Sequence, residues 1–381
     1  MTAGGLGRVE TQRVVLFDEA DPLVLESGAR LAPVHVAYET YGELDAERAN
    51  AVFVHHALTG DAHAAGHHGD PARRGWWDRL IGPGRPIDTD RYFVISPNLL
   101  GGCQGTTGPS SIDPATGRRY GLEFPMFGVR DLVTVHRRLL EHLGIARLHA
   151  AIGGSLGGMQ ALQWAIDDPG AMRLCLPICA SAELSAMNIA FSTVAREAIM
   201  RDPGFQGGAY HDTGWGPNIG LAVARMMAHI TYLSEESFAH KFGRTRRVEG
   251  APPGLGPDFE VEHYLHHQGA SFLRRFDALS YLYLTRTMDY FQPFEESGIA
   301  ERLRGNATRF LAVSFDTDWR FSPAHSERMV RDLRTAGCDA RHVEITSPWG
   351  HDSFLLDVPE YHAVVGDFLA EGARATSGAM A

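Results

Sequence analysis

Residues Gly153-Gly154-Ser155-Leu156-Gly157 form a G-x-S-x-G pentapeptide. An apolar run, Leu148–Ile152, precedes it, and Met159–Ala165, with the composition of a helix, follows. A serine between a buried strand and a helix has the setting of a nucleophile elbow. There Ser155 must occupy a tight, strained turn, and its neighbours must be small so that strand and helix can approach. The Leu156 N–H, at the start of the helix, then points toward an oxyanion. The chemistry expected is acyl transfer through Ser155.

An acylating serine needs a base, and the base needs an orienting carboxylate. Behind an elbow these follow in the chain order serine, acid, histidine, each after a strand. Two acids follow the apolar run Phe310–Phe315, namely Asp316 and Asp318, and His351 lies in the loop after the last expected strand. Asp318, deeper in its loop, is assigned as the orienter, with Asp316 as a cap or turn residue. Asp316 is the alternative. The second oxyanion N–H originates in the loop after an early strand, which points to Leu58. That loop is rich in histidine (His55, His56, His63, His67, His68), so a metallohydrolase has to be weighed. The spacing matches neither H-E-x-x-H nor another zinc motif, and no metal site is assigned. Cys103 is a rival nucleophile without an elbow, expected to be a small buried hydrophobe.

These side chains must be carried by a framework. Short apolar runs at Val34–Thr40, Ala51–His56, Tyr92–Ser96, Leu148–Ile152 and Leu174–Cys179 read as strands, with Pro177 an awkward member. Val129–Leu143 has helical spacing, and Gly144 suits the residue after its end. Strands alternating with helices predict a mostly parallel sheet covered on both faces. From about Glu183 to Gly298 the pattern is helical (Ala186–Met200, Ile219–Thr231, Ser234–Phe242, Glu260–Phe276, Ser280–Tyr290), with Gly/Pro-rich breaks at 203–217 and 250–257. Phe310–Phe315 returns to strand. A helix follows with Ser322 as N-cap and Pro323 at its first position, then a strand at Arg341–Ile345 and a helix near Tyr361–Leu369. The organisation expected is one α/β core in two parts, 1–182 and 299–381, interrupted by a helical lid at 183–298. The lid would lie over the carboxyl ends of the strands, where open α/β sheets bind ligands. A second independent domain is the alternative.

The 381 residues suffice for a large core. A net charge of −11 without a Lys/Arg-rich block argues against nucleic acid as the main partner. No 18-residue apolar span and no signal-like N-terminus occur, and the first seven residues read as a loose tail. Four cysteines, none in a C-x-x-C pair, suggest a reduced, cytoplasmic protein.

Together the stretches Val36–Leu44, His56–His63, Gly154–Ala165, His229–Ser234, Lys241–Arg244 and Gly350–Asp352 resemble the homoserine O-acyltransferases of the α/β-hydrolase type, over about residues 30–370. Leu156 departs from the methionine many members carry, which leaves a backbone role untouched. The resemblance implies an α/β-hydrolase fold with a helical lid and a homodimer. It also implies a ping-pong reaction, in which an acyl group passes from coenzyme A to Ser155 and then to the homoserine hydroxyl. It makes His351 the base, Asp318 the orienter, Arg225 the grip on the homoserine carboxylate and Asp352 the partner of its ammonium. Without it, Arg225 reads as a surface ion pair and Asp352 as a turn cap.

Asp316–Pro323 resembles the succinyl-transferring subgroup, because acetyl-transferring relatives tend to have an apolar residue where Arg320 stands. A guanidinium there would pair with the free carboxylate of a succinyl group, whereas an acetyl group would leave it unmatched; pairing with Asp316 is the alternative for Arg320. The expected activity is thus succinyl transfer from succinyl-CoA, as co-substrate, to homoserine in methionine synthesis, with no resident cofactor. Acetyl transfer to homoserine comes second. Succinyl transfer to serine, disfavoured by Gly154 where such relatives tend to have Asn, comes third, and a serine esterase last.

Overall fold

In the computed structural model of the chain, residues 5–250 and 252–377 are described. Eight strands make the main sheet: β1 (Gln12–Phe17), β2 (Val34–Tyr41), β3 (Ala51–His55), β4 (Phe93–Pro97), β5 (Leu148–Gly154), β6 (Met172–Ile178), β7 (Arg309–Phe315) and β8 (Asp339–Ile345). Their spatial order is β1-β2-β4-β3-β5-β6-β7-β8. From β4 onward every pair is parallel, and β1–β2 and β2–β4 are antiparallel. The central strands β3 and β5 are buried at every position. This is why they read as unbroken apolar runs rather than as alternation.

Helices cover both faces. On one side α1 (Val129–His142), α2 (Leu156–Asp167) and α9 (Pro323–Thr335) contribute Leu132, Leu162 and Met329 to one core layer. On the other, α10 (Pro359–Ser377) packs Tyr361, Val365 and Phe368 beside Trp77 and Leu80. Between β6 and β7 the chain forms α3 (Ala186–Met200), α4 (Asn218–Tyr232), α5 (Glu235–Lys241), α6 (Glu260–Phe272), α7 (Ala278–Asp289) and the single turn α8 (Ile299–Arg302). Ser185 and Ser234 cap α3 and α5 by accepting from Asn188 N and Ser237 N.

Several expectations need correction. The tail is not loose throughout: residues 1–4 lie outside the described residues, but Leu6 packs on the core and Gly7 O accepts from His67 N at 3.1 Å. α6 stops at Phe272 instead of Phe276, because the chain turns there and the Arg275 carbonyl accepts from the Gln104 side chain. α10 runs past Leu369 to Ser377. Ser322 does stand at the N-cap of α9 with Pro323 at the first position, but it makes no side-chain capping bond; its hydroxyl meets His325 Nδ1 at 3.3 Å. Pro177 does sit in a central strand. It pairs with Gly153 of β5, while the register with β7 skips residues 176 and 177, so its missing N–H interrupts the ladder on that side.

Candidate active site

The elbow is built as its chemistry requires. Ser155 has φ 57° and ψ −123°, strained for a residue with a Cβ, and its N–H is held by Ile178 O at 2.9 Å. A Cβ on Gly157 would lie 2.2 Å from His55 O, and one on Gly154 would lie 2.4 Å from the Phe354 ring. Those close approaches require glycine at both positions. Ser155 and the first turn of α2 therefore emerge at the carboxyl end of β5, at the centre of the sheet.

Asp318 and His351 come together in the loops after β7 and β8. His351 Nδ1 lies 2.7 Å from Asp318 Oδ2, with both groups buried. Asp318 Oδ1 accepts from the N–H groups of Arg320 and Phe321 at 3.0 and 2.8 Å, which holds the carboxylate facing the ring. Asp316 takes the alternative part: its Oδ1 accepts from Ser347 N at 2.9 Å and ties the two loops. Thr317 adds to that tie by accepting from Gly350 N and donating to Ser347 O.

Ser155, His351, Leu58, Arg225 and Asp352 line one small cavity of about 100 Å³ together with Thr59 and Tyr232. Among the described residues the N–H groups of Leu58 and Leu156 have no hydrogen-bond partner. Both are free to meet an oxyanion. Arg225 is buried and makes no ion pair among the described residues; it reaches Thr59 Oγ1 at 3.3 Å and lies over the Phe272 and Tyr232 rings, 4.7 and 5.9 Å from their centroids. A surface ion pair is thus excluded for it. Burial pushes the Asp352 carboxyl up to about 6, while the charges of His351 and Arg225 pull it down. One cationic and one anionic group without salt-bridge partners, in the same cavity, suit a small zwitterion.

Arg320 does not line this cavity. It is buried, donates from Nη1 to Thr231 Oγ1 at 2.6 Å and lies 5.7 Å from the ring of Tyr232, which does line it. It makes no contact with Asp316 and no ion pair among the described residues.

The histidine-rich loop disperses. His55 is a core residue against Phe53 and Trp164, its pKa pushed down to about 3 by burial. His56 contacts Asn98 and Ala57 O. His63 and His68 both bond the buried Glu39 carboxylate, at 3.0 and 2.7 Å. Those three bring ligand-type atoms within 4.8 Å of one another. Thr11 and Tyr41 also donate to the Glu39 carboxylate, while His63 Nε2 is buried without a hydrogen-bond partner among the described residues. Burial pushes the Cys103 thiol up to about 11, the reverse of what a nucleophile needs.

Sequence reasoning assigned no role to Tyr232, Tyr264 or Lys241. The Tyr232 ring lies 5.8 Å from that of His351. The Tyr264 hydroxyl meets His229 Nδ1 at 2.9 Å, and Lys241 Nζ sits 4.4 Å from the Tyr264 ring centroid. Tyr232 and Lys241 stand in stretches that carried the family resemblance, the only signal available for them.

An α/β-hydrolase family model matches residues 50–358. A homoserine O-succinyltransferase of Nocardioides sp. is 61% identical over 366 residues, covering 96% of this chain and 99% of that protein. A homoserine O-acetyltransferase of Rhodospirillum rubrum is 52% identical, covering 94% and 92%. The crystal structure of a homoserine O-acetyltransferase from Bacillus anthracis superposes with a TM-score of 0.87 at 30% identity, over 95% of this chain and 98% of that one. The strand order, the serine elbow with its His351–Asp318 pair and these full-length likenesses lead to one statement: the chain belongs to the homoserine O-acyltransferase family of the α/β-hydrolase fold.

Proposed function

We propose that this protein transfers a succinyl group from succinyl-CoA to the hydroxyl of L-homoserine, through a Ser155 acyl-enzyme. The observation that carries the reading is the cavity in which Ser155 and His351 face Arg225 and Asp352. A hydrolase using water would have no use for those two charges. His351 takes the Ser155 proton as the hydroxyl attacks the thioester carbon, with Asp318 orienting the ring. The Leu58 and Leu156 N–H groups stabilise the tetrahedral oxyanion. The thioester C–S bond breaks, and coenzyme A leaves with the proton from His351. Homoserine then binds, its carboxylate on Arg225 and its ammonium on Asp352. His351 takes the proton of its hydroxyl as that oxygen attacks the acyl carbon; the C–O bond to Ser155 breaks, and Ser155 Oγ takes the proton back from His351. No resident cofactor is needed.

Succinyl rather than acetyl is favoured by Arg320, a buried guanidinium one aromatic ring from the cavity and without a carboxylate of its own. The relative from Nocardioides sp. bears the succinyl name and the one from Rhodospirillum rubrum the acetyl name. Thiol release from succinyl-CoA and from acetyl-CoA, each with and without L-homoserine, tests the reading. Homoserine-dependent release with succinyl-CoA preferred is expected. Preference for acetyl-CoA overturns the donor, and release that ignores homoserine overturns the transferase.

Asp352 sets a pH dependence on the acceptor. Its raised carboxyl is neutral below about pH 6 and then offers no charge to an ammonium. KM for homoserine should therefore rise as pH falls through about 6. In Asp352→Asn it should be raised about tenfold or more at pH 8 and lose this limb. An unchanged KM in that variant would remove Asp352 from acceptor binding.

The segment 183–298 serves as a lid that keeps water from the acyl-enzyme. Its outer face also suits a second copy of the chain. On α4, Ile219, Val223 and Ile230 are exposed along one side, and on α3 Met187 and Val194 are exposed one heptad apart. Helices with unpartnered apolar stripes fit an isologous homodimer. The protein should elute as a dimer in light-scattering chromatography, and Ile219→Glu with Ile230→Glu should yield a monomer. A monomeric wild type would refute the dimer. No helix among the described residues is long and apolar enough to cross a membrane, and all four cysteines are free, which fits a reduced cytoplasmic setting.

A further inference from the structure

The donor at Leu58 depends on a tight turn, and the turn is held from outside. Gly60 N bonds Ala57 O at 3.0 Å, closing Ala57–Gly60 with Leu58 at the second position. His56 Nδ1 also donates to Ala57 O, at 2.7 Å. The Thr59 carbonyl has no partner within the turn. It accepts instead from Nη1 of Arg275 at 2.8 Å, while Thr59 Oγ1 takes the Arg225 contact.

Arg275 is anchored for this task. Its own carbonyl accepts from the Gln104 side-chain amide, and its guanidinium lies 5.1 Å from the Phe272 ring centroid. It makes no ion pair among the described residues and is absent from the lining of the Ser155 cavity. Although the residue is partly exposed, desolvation and the neighbouring Arg225 charge push its pKa down.

We propose that Arg275 is a positioning residue for acyl transfer, pinning the Thr59 carbonyl so that the Leu58 N–H stays aimed at the oxyanion. The inference rests on the acyl-enzyme reading above. A flip of the Ala57–Leu58 peptide would turn the donor away; its carbonyl, Ala57 O, is held by Gly60 N–H, and the Arg275 bond to Thr59 O fixes the Thr59–Gly60 peptide that carries that N–H. Arg275 stands in the link between α6 and α7 and bonds the oxyanion turn, so the helical segment itself completes the catalytic geometry.

The test separates chemistry from binding. Single-turnover thiol release from succinyl-CoA, without homoserine, reads acylation alone. Arg275→Gln should slow it about 10-fold to 100-fold, somewhat less than loss of an oxyanion donor outright. The Kd for coenzyme A and the KM for homoserine should stay within about twofold of wild type. Arg275→Lys, which keeps a donor, should fall between and remains informative if the glutamine variant is unstable. Wild-type acylation in both variants overturns the proposal. So does a raised homoserine KM or coenzyme A Kd with acylation intact, which would make Arg275 a substrate contact. A wild-type protein that forms no acyl-enzyme sinks the acyl-enzyme reading with it; normal wild-type acylation matched by both variants sinks this inference alone.

Discussion

Alanine at Ser155 is expected to lower turnover of succinyl-CoA with homoserine by about a millionfold, with no acyl-enzyme visible by mass spectrometry. The size follows from how the site is assembled. Ser155 stands on a strained φ of 57°, and His351 is fixed in the same cavity by a 2.7 Å bond to a carboxylate that two backbone N–H groups already hold. Groups that act as a unit are lost as a unit. Adding His351→Ala to Ser155→Ala should therefore change almost nothing further, whereas Asp318→Asn alone should lose about 10⁴-fold by leaving the wrong tautomer on His351. Turnover within tenfold of wild type in Ser155→Ala would refute the covalent route.

Leucine at Arg320 is expected to lower kcat/KM for succinyl-CoA by about 100-fold and to leave acetyl-CoA unchanged or improved. A charge-assisted bond to the distal carboxylate contributes about 2–3 kcal/mol, which sets that factor. The same substitution removes a buried guanidinium that bonds the Thr231 hydroxyl, lies by the Tyr232 ring and makes no ion pair among the described residues. An uncompensated buried charge is destabilising, so the variant's melting temperature should rise or hold. A succinyl-to-acetyl ratio equal to that of wild type would show that Arg320 does not read the donor.

Much of the core was legible because its physics is local. β3 and β5 are buried on both faces and announce themselves as apolar runs, and the elbow needs small residues at fixed offsets. β1 escaped notice because it is an edge strand whose first four residues are largely exposed. The overlong reading of α6 came from apolar residues Leu273 and Phe276 continuing the period, although the chain there is already bending toward Gln104. The Asp318–His351 pairing followed from chain order, and Asp318 was chosen over Asp316 by its depth in the loop; the bonds of Ser347 N to Asp316 and of Arg320 N to Asp318 give that choice its physical reason. Tyr264 and Arg275 were out of reach, and Tyr232 was marked only by the stretch that carried the resemblance: each lies in or beside a helix of ordinary amphipathic pattern, and only the placement of that helix over the sheet sets its contacts.

The Tyr232 ring lies within reach of two guanidiniums, 5.9 Å from Arg225 and 5.7 Å from Arg320. On the roles proposed above, one ring then adjoins both the group that would hold the acceptor and the group that would read the donor. Substitutions at the two should show epistasis: one that retunes the acyl group would shift the ring and disturb the amino-acid pocket, and the reverse. Lineages drifting from one acyl donor to the other would then be expected to move through paired substitutions, with the second restoring an acceptor fit that the first had loosened.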